Sequence, residues 1–207
     1  MISALQTIAR PFEEAGQLIA RMSETRENHW ASLISDVLIS LVLIAVGLHR
    51  IAVHPAMALT TFLAGVLLFT LVEYSFHRWL FHKPVPLFEP GHRKHHADPL
   101  GHDSLPFFLP PILVLLLAGL FTLALPEGYA LLLAGGIAAG YATYGLSHVA
   151  IHATRFRHPL ARRWAASHHV HHFHPDCNFG VTTPLWDILL GTRRVRRQPP
   201  SPLQSPH

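Results

Sequence analysis

The stretch Pro55–His82, PAMALTTFLAGVLLFTLVEYSFHRWLFH, decides how this chain is built. From Pro55 to Val72 it carries no charge. At about 1.5 Å per helical residue those positions cover about 27 Å, close to the roughly 30 Å of a bilayer's hydrocarbon core. The run then ends on Glu73, His77 and His82, so one apolar segment delivers a carboxylate and two imidazoles to its own boundary.

Three more segments read the same way. Trp30 to Leu48 is apolar except for Asp36, Leu105 to Leu125 is uncharged, and Gly128 to Ser147 is rich in Gly and Ala. Pro110-Pro111 mark a helix start or kink in the third. Small residues such as Gly135, Gly136 and Gly140 allow close helix packing in the fourth. The composition agrees: of 207 residues, half are hydrophobic and only 14% are Asp, Glu, Lys or Arg, against about 25% in ordinary soluble domains. A disordered chain is excluded on that ground. A single cysteine, Cys177, excludes an intrachain disulfide and a thiolate-based cluster.

Topology follows from the connections. His49–His54 joins the first two segments and Pro126-Glu127 joins the last two, so each pair is expected to form an antiparallel hairpin. Residues 1–29, 73–104 and 148–207 then share one side of the membrane. Fifteen of the sixteen Lys and Arg residues fall there, and only Arg50 lies in a hairpin turn. The positive-inside rule makes that side cytoplasmic, with both termini on it. The basic character is thereby explained without nucleic acid as a partner. Residues 1–29 read as an amphipathic, interfacial segment and not as a signal peptide, since Glu13 and Glu14 interrupt any apolar core. Residues 30–192 form the membrane-embedded domain. Residues 193–207 read as a basic, Pro/Ser-rich disordered tail.

Eighteen histidines are the second anomaly, and ten of them form four patterned groups. His77 and His82 close the second apolar segment. His92, His95 and His96 repeat the spacing of His168, His171 and His172, H-x-x-H-H. His148 and His152 follow the fourth segment. On a helix, residues three and four apart share a face, which lets each triad converge. His77 and His82 stand about 140° apart on a regular α-helix; they either straddle a site or lie where the helix frays. All four groups emerge on one side. Ten imidazoles are too many for one metal and suit two, and imidazole favours iron, zinc, copper or nickel. His29, His49, His54 and His207 read as surface residues, and His102 and His158 as loop residues. His169 and His174 sit near the fourth group but off its shared face. Glu73, one helical turn before His77, is placed to orient a ligand, because metal-bound imidazole usually donates its other N–H to an oxygen. Asp98, Asp103, Asp176 and Asp187 follow the triads as further acidic candidates or as helix caps.

The ordered motifs resemble the fatty acid hydroxylase and sterol desaturase superfamily, most closely its fatty acid 2-hydroxylases. The resemblance rests on Glu73 to His82, the first triad and Leu109-Pro110-Pro111. It continues through Gly140 to Tyr144 before His148, the second triad with Phe173, Asn178 to Asp187, and Gly191-Thr192. It implies an all-α integral membrane protein, with four transmembrane helices and a cytoplasmic helical cap holding a histidine-rich di-metal site. The implied ligands or their immediate shell are His77, His82, His92, His95, His96, His148, His152, His168, His171 and His172, with Glu73, Asn178 and Asp187 supporting them. The implied cofactors are two iron ions, for which zinc can substitute in a purified sample, and dioxygen is the co-substrate. The implied reaction hydroxylates the acyl chain of a fatty acid or lipid, at C2. Relatives often carry a fused b-type cytochrome domain; 29 leading residues do not accommodate one, which makes the electron donor a separate ferredoxin or b-type cytochrome. Relatives also tend to have an acid after Tyr144, where this chain has Gly145. The location implied is the inner membrane of a bacterium or the endoplasmic reticulum of a eukaryote. A sterol or carotenoid substrate, a desaturation, a metal transporter and a zinc hydrolase are the competing readings.

Overall fold

The computed structural model describes residues 18–50, 54–85 and 88–195, and these are helical apart from turns and loops. After a helical turn at residues 18–23, the elements are α1 (Arg26–Arg50), α2 (Pro55–Phe76), α3 (Glu89–Ala97), α4 (Leu109–Phe121), α5 (Glu127–Ala153), α6 (Pro159–Phe173) and α7 (Leu185–Leu189). A π-helical segment, His77–Phe81, continues α2 without a break. The leading residues expected to be amphipathic lie largely outside the described residues, as do the linker at 51–53 and most of the tail.

Among the described residues, three helices are long and apolar enough to cross a membrane: α1, α2 with its π-helical continuation, and α5. The fourth apolar segment differs from the sequence expectation. Its helix spans only Leu109–Phe121, 13 residues, or about 20 Å. Proline at the second and third helical positions fixes the start of α4, and turns at residues 122–125 end it.

The bundle is apolar outside. Leu38, Leu41 and Val42 of α1, Leu59 and Leu63 of α2, and Leu116 and Leu120 of α4 are all more than half exposed. A water-soluble bundle of this size would bury such rows. Conversely, α1 buries Asn28, Ser32, Asp36 and Ser40 at four-residue intervals, so its polar stripe faces protein. α5 lies at the centre, packed on α1, α2 and α4. Where α2 crosses α5, a Cβ on Gly65 would strike the Leu133 carbonyl, and one on Gly136 the Phe62 carbonyl. Both glycines are needed for that approach. At one end of the bundle Arg50 pairs with Glu127 at 3.4 Å, joining the ends of α1 and α5. The histidines gather at the other end.

Candidate metal centre

Four pieces of chain bring ten imidazoles together: the end of α2, α3, the end of α5 and α6. They form two groups. His77, His82, His92, His96 and His171 make the first, and His95, His148, His152, His168 and His172 the second. Within each group the candidate ligand atoms all lie within 4.8 Å of one another. The triads are split between the groups: His92 and His96 face one centre and His95 the other, as His171 does against His168 and His172. Adjacent faces of one short helix thus face two groups.

The π-helical segment solves the spacing of His77 and His82. An i→i+5 closure brings a residue five positions on nearly over the first, and the two rings stack with centroids 5.2 Å apart at 22°. Neither straddling nor fraying is needed.

The geometry fits metal ions. Nε2 atoms approach in pairs: His77–His92 at 3.1 Å, His82–His171 and His92–His96 at 3.0 Å, His148–His168 at 3.1 Å, and His152–His168 and His168–His172 at 3.0 Å. With metal–nitrogen bonds of about 2.1 Å, neighbouring ligands at 90° stand about 3.0 Å apart, whereas a tetrahedron requires about 3.4 Å. Five nitrogens at such spacings suit an ion of five or six ligands better than a closed tetrahedral zinc site. Burial keeps the imidazoles neutral, as metal binding requires. It pushes the His82 pKa down to about 4, His95 and His171 to about 3, and His172 to about 2, aided by neighbouring imidazoles. His92 and His96 shift the same way for the same reason.

What orients two of these imidazoles is a loop. His77 Nδ1 donates to the Phe179 carbonyl at 2.5 Å and His171 Nδ1 to the Cys177 carbonyl at 2.8 Å. Each bond fixes the tautomer that leaves Nε2 free. Glu73 does not touch His77 through hydrogen bonds. It is buried and accepts from the Val181 N–H at 2.6 Å, the Thr182 N–H at 3.0 Å and the Thr182 hydroxyl. Asp187, also buried, accepts from the Phe179 N–H at 2.9 Å, the Gly180 N–H at 2.8 Å and the Thr192 hydroxyl at 2.7 Å. Asn178 sits at φ 56°, a left-handed conformation that asparagine tolerates. Its side chain bridges Ser167 and Arg194. All three therefore hold the loop that bonds His77 and His171. The backbone carbonyls of Cys177 and Phe179 had no signal in the sequence, since any residue supplies one. Cys177 contributes its carbonyl, not its thiol.

The other candidates separate cleanly. Asp103 pairs with Lys94 at 2.9 Å, Asp98 closes α3, and Asp176 lies on the exposed side of the loop. His49, His54, His102 and His158 are exposed, while His207 lies outside the described residues. His29 departs from its surface expectation: it is partly buried against Trp30 and His102, with its Nδ1 unpartnered. His169 contacts His152 ring to ring at 5.7 Å. His174 is exposed.

Residues 62–192 match the fatty acid hydroxylase family. The chain belongs to that family. Fatty acid hydroxylase relatives include the human fatty acid 2-hydroxylase, 35% identical over 162 residues that cover 70% of this chain and 42% of that protein. A dihydroceramide fatty acyl 2-hydroxylase of Arabidopsis thaliana is 35% identical over 140 residues, covering 62% of this chain and 58% of the relative. The chain thus spans about two fifths of the mammalian relative's length. A solved structure of full-length scs7p, in which only the hydroxylase domain is visible, superposes with a TM-score of 0.72 at 26% identity, over 88% of this chain and 72% of that one.

Proposed function

We propose that this protein is a membrane hydroxylase that inserts one oxygen atom into the acyl chain of a fatty acid or lipid, at C2. The observation that carries the reading is the pair of five-imidazole groups at one end of an apolar bundle. Two iron ions held there supply the redox chemistry that activates dioxygen towards an unactivated C–H bond. The balance is R–H + O2 + 2 electrons + 2 H+ giving R–OH + H2O. The relatives named as fatty acid and dihydroceramide fatty acyl 2-hydroxylases support the substrate class. Electrons come from a redox protein such as a ferredoxin or b-type cytochrome.

The chain's own residues do the remaining work. All ten histidines, His77, His82, His92, His95, His96, His148, His152, His168, His171 and His172, serve as the ligand set. The Cys177 and Phe179 carbonyls fix two of their tautomers, and Glu73, Asn178 and Asp187 hold that loop. Phe81 stacks on His92 with ring centroids 5.1 Å apart, and Phe179 packs 5.7 Å from His171, shielding the first group from water. A donor set with no thiolate has none to lose to oxidation. C2 follows from depth, because the histidines sit where the spanning helices end and an acyl chain meets its polar head. α1 ends and α2 and α5 begin at the end of the bundle opposite the histidines, and the centre faces the cytoplasm, the side rich in Lys and Arg. Residues 105–125 complete a fourth crossing.

Expression in iron-rich medium, metal analysis and mass spectrometry of host lipids test this together. The expected result is two iron ions per chain and lipids one oxygen heavier, with the hydroxyl at C2 by fragmentation. A new double bond or a hydroxylated ring instead refutes the acyl 2-hydroxylase reading. In a Cys177→Ser background, cysteines placed at Glu127 and Asp98 should label from opposite faces; labelling from one face refutes the topology.

A further inference from the structure

Beside the first histidine group lies a cavity of about 440 Å3 whose walls include Arg78, Trp79, His82, Lys83, Asp176 and Phe179. Arg78 is half-buried. It donates from Nη1 to the Tyr74 hydroxyl at 2.8 Å, and its guanidinium carbon lies 5.2 Å from the Trp79 ring centroid and 6.0 Å from that of Phe179. Four of its five N–H donors remain. Among the described residues, neither Arg78 nor Lys83 pairs with a carboxylate: the ion pairs are Arg50–Glu127, Arg93–Glu89, Lys94–Glu24 and Lys94–Asp103. Asp176, the one acid on the wall, forms no pair with either. A guanidinium fixed by aromatic faces, partly desolvated and without an anion, is a preformed fork for a carboxylate.

The surroundings say which carboxylate. The cavity sits where α2 passes into its π-helical end, the level at which lipid heads meet acyl chains. Phe76 and Trp79, 39% and 49% exposed on the same stretch, give an apolar approach from the lipid side. A carboxylate at Arg78 with its tail leaving along these rings keeps C2, one bond away from the carboxyl carbon, in the cavity that His82 lines. We infer that this cavity is the carboxylate subsite of an unesterified fatty acid, with Arg78 as the fork and Lys83 as the second cation. The inference rests on the hydroxylase reading and names its substrate class. An ester or amide presents only a neutral carbonyl to the same cations and gains less.

The test uses the full chain, metal-free, in phosphatidylcholine nanodiscs, with empty nanodiscs subtracted. Wild type should bind palmitate at least tenfold more tightly than methyl palmitate. Arg78→Gln should weaken palmitate at least tenfold and leave the ester unchanged. Lys83→Gln, at an exposed side chain, should give a smaller loss in the same direction, and it carries the test should Arg78→Gln not fold. Equal binding of acid and ester by wild type, or an acid preference that survives both substitutions, overturns the subsite. Displacement of palmitate by an equal amount of phosphatidylglycerol assigns the cations to headgroups and overturns it too. The iron-loaded protein separates this from the parent reading. Failure to hydroxylate any acyl lipid refutes the hydroxylase while the binding contrast stands. Equal turnover of acid and ester without a binding contrast refutes the subsite alone.

Discussion

Replacing Asp187 by asparagine exchanges one oxygen for an NH2 group in a side chain that is 1% exposed, and the consequence should reach the metal centre. The two carboxylate oxygens each accept a backbone N–H, from Phe179 and Gly180. Asparagine keeps one acceptor and turns a donor towards the other amide. One buried N–H is then unsatisfied, at a cost of about 1–3 kcal/mol, and the remaining bonds fall from charge-assisted to neutral, at about 1 kcal/mol. That places about 2–4 kcal/mol on the loop whose Phe179 carbonyl orients His77. If the loop relaxes to relieve the conflict, the ligand set loses its arrangement by the same amount, roughly 30- to 900-fold in metal affinity. Loss of a supporting group around a metal typically costs 10–100-fold, so a fall of about a hundredfold is expected. Competition with a chelator of known affinity, on iron- or zinc-loaded protein, measures it, and circular dichroism should show unchanged helix content. Thr192→Val is the internal control. It removes a hydroxyl that donates to Asp187 but leaves both amides paired, and should cost less than tenfold. An Asp187→Asn protein whose metal affinity lies within threefold of wild type would refute the claim that the loop sets the ligands.

Three further outcomes are expected. His171→Ala and His95→Ala remove a donor from the first and second group respectively, so each should lower bound metal and abolish hydroxylation, while His49→Ala, on an exposed side chain, should do neither; full metal content in both ligand variants would show the ten histidines to be wrongly assigned. The metal-free protein should lose thermal stability on acidification: the folded pKa values of His82, His95 and His171 lie at about 4, 3 and 3, below the unfolded value of about 6.5, so the unfolded chain binds more protons as pH falls. The stability is complete above about pH 6.5 and is lost progressively towards pH 3–4; a melting temperature flat from pH 7 to 4 contradicts the neutral, buried cluster. Gly136→Leu should prevent the close crossing of α2 and α5 and destabilise the fold by several kcal/mol, as overpacking of a tight contact with backbone does, and near-wild-type melting would show that the crossing is not tight.

The gathering of the histidines was legible because side chains at helical spacings share a face, and spacing survives in sequence. The apolar spans were legible for a related reason: lipid demands a length of unbroken hydrophobic residues. What escaped was set by backbone. The π-helical turn at His77–Phe81 inserts no distinctive residue; it shows only as two imidazoles too far apart for a regular helix to bring together. Similarly, Leu105–Leu125 is apolar throughout, yet its helix covers little more than half of it, because prolines at 110 and 111 and the turns after Phe121 limit the hydrogen-bonded part. Hydropathy counts residues that tolerate lipid and does not say how many of them are wound into one helix.

Glu73 shows the limit most clearly. Its place one turn before His77 suggested a carboxylate that braces an imidazole directly, and periodicity does put the two on one face. The acid instead reaches 108 residues along the chain to the Val181 amide, while His77 takes its partner from Phe179 two residues earlier. Proximity on a helix was a sound guide to which groups share a region, and a poor one to which atoms bond. The arrangement has a physical logic. An acid bonded directly to imidazole would set a carboxyl group against the histidines; one bonded to backbone amides leaves the imidazole a neutral carbonyl as partner and spends its hydrogen bonds on rigidity. Two buried acids, Glu73 and Asp187, then grip one short loop from α2 and from α7. Each imidazole tautomer that this loop fixes depends on contacts far apart in sequence, so the geometry of the two groups is a property of the folded bundle and not of the histidine motifs alone.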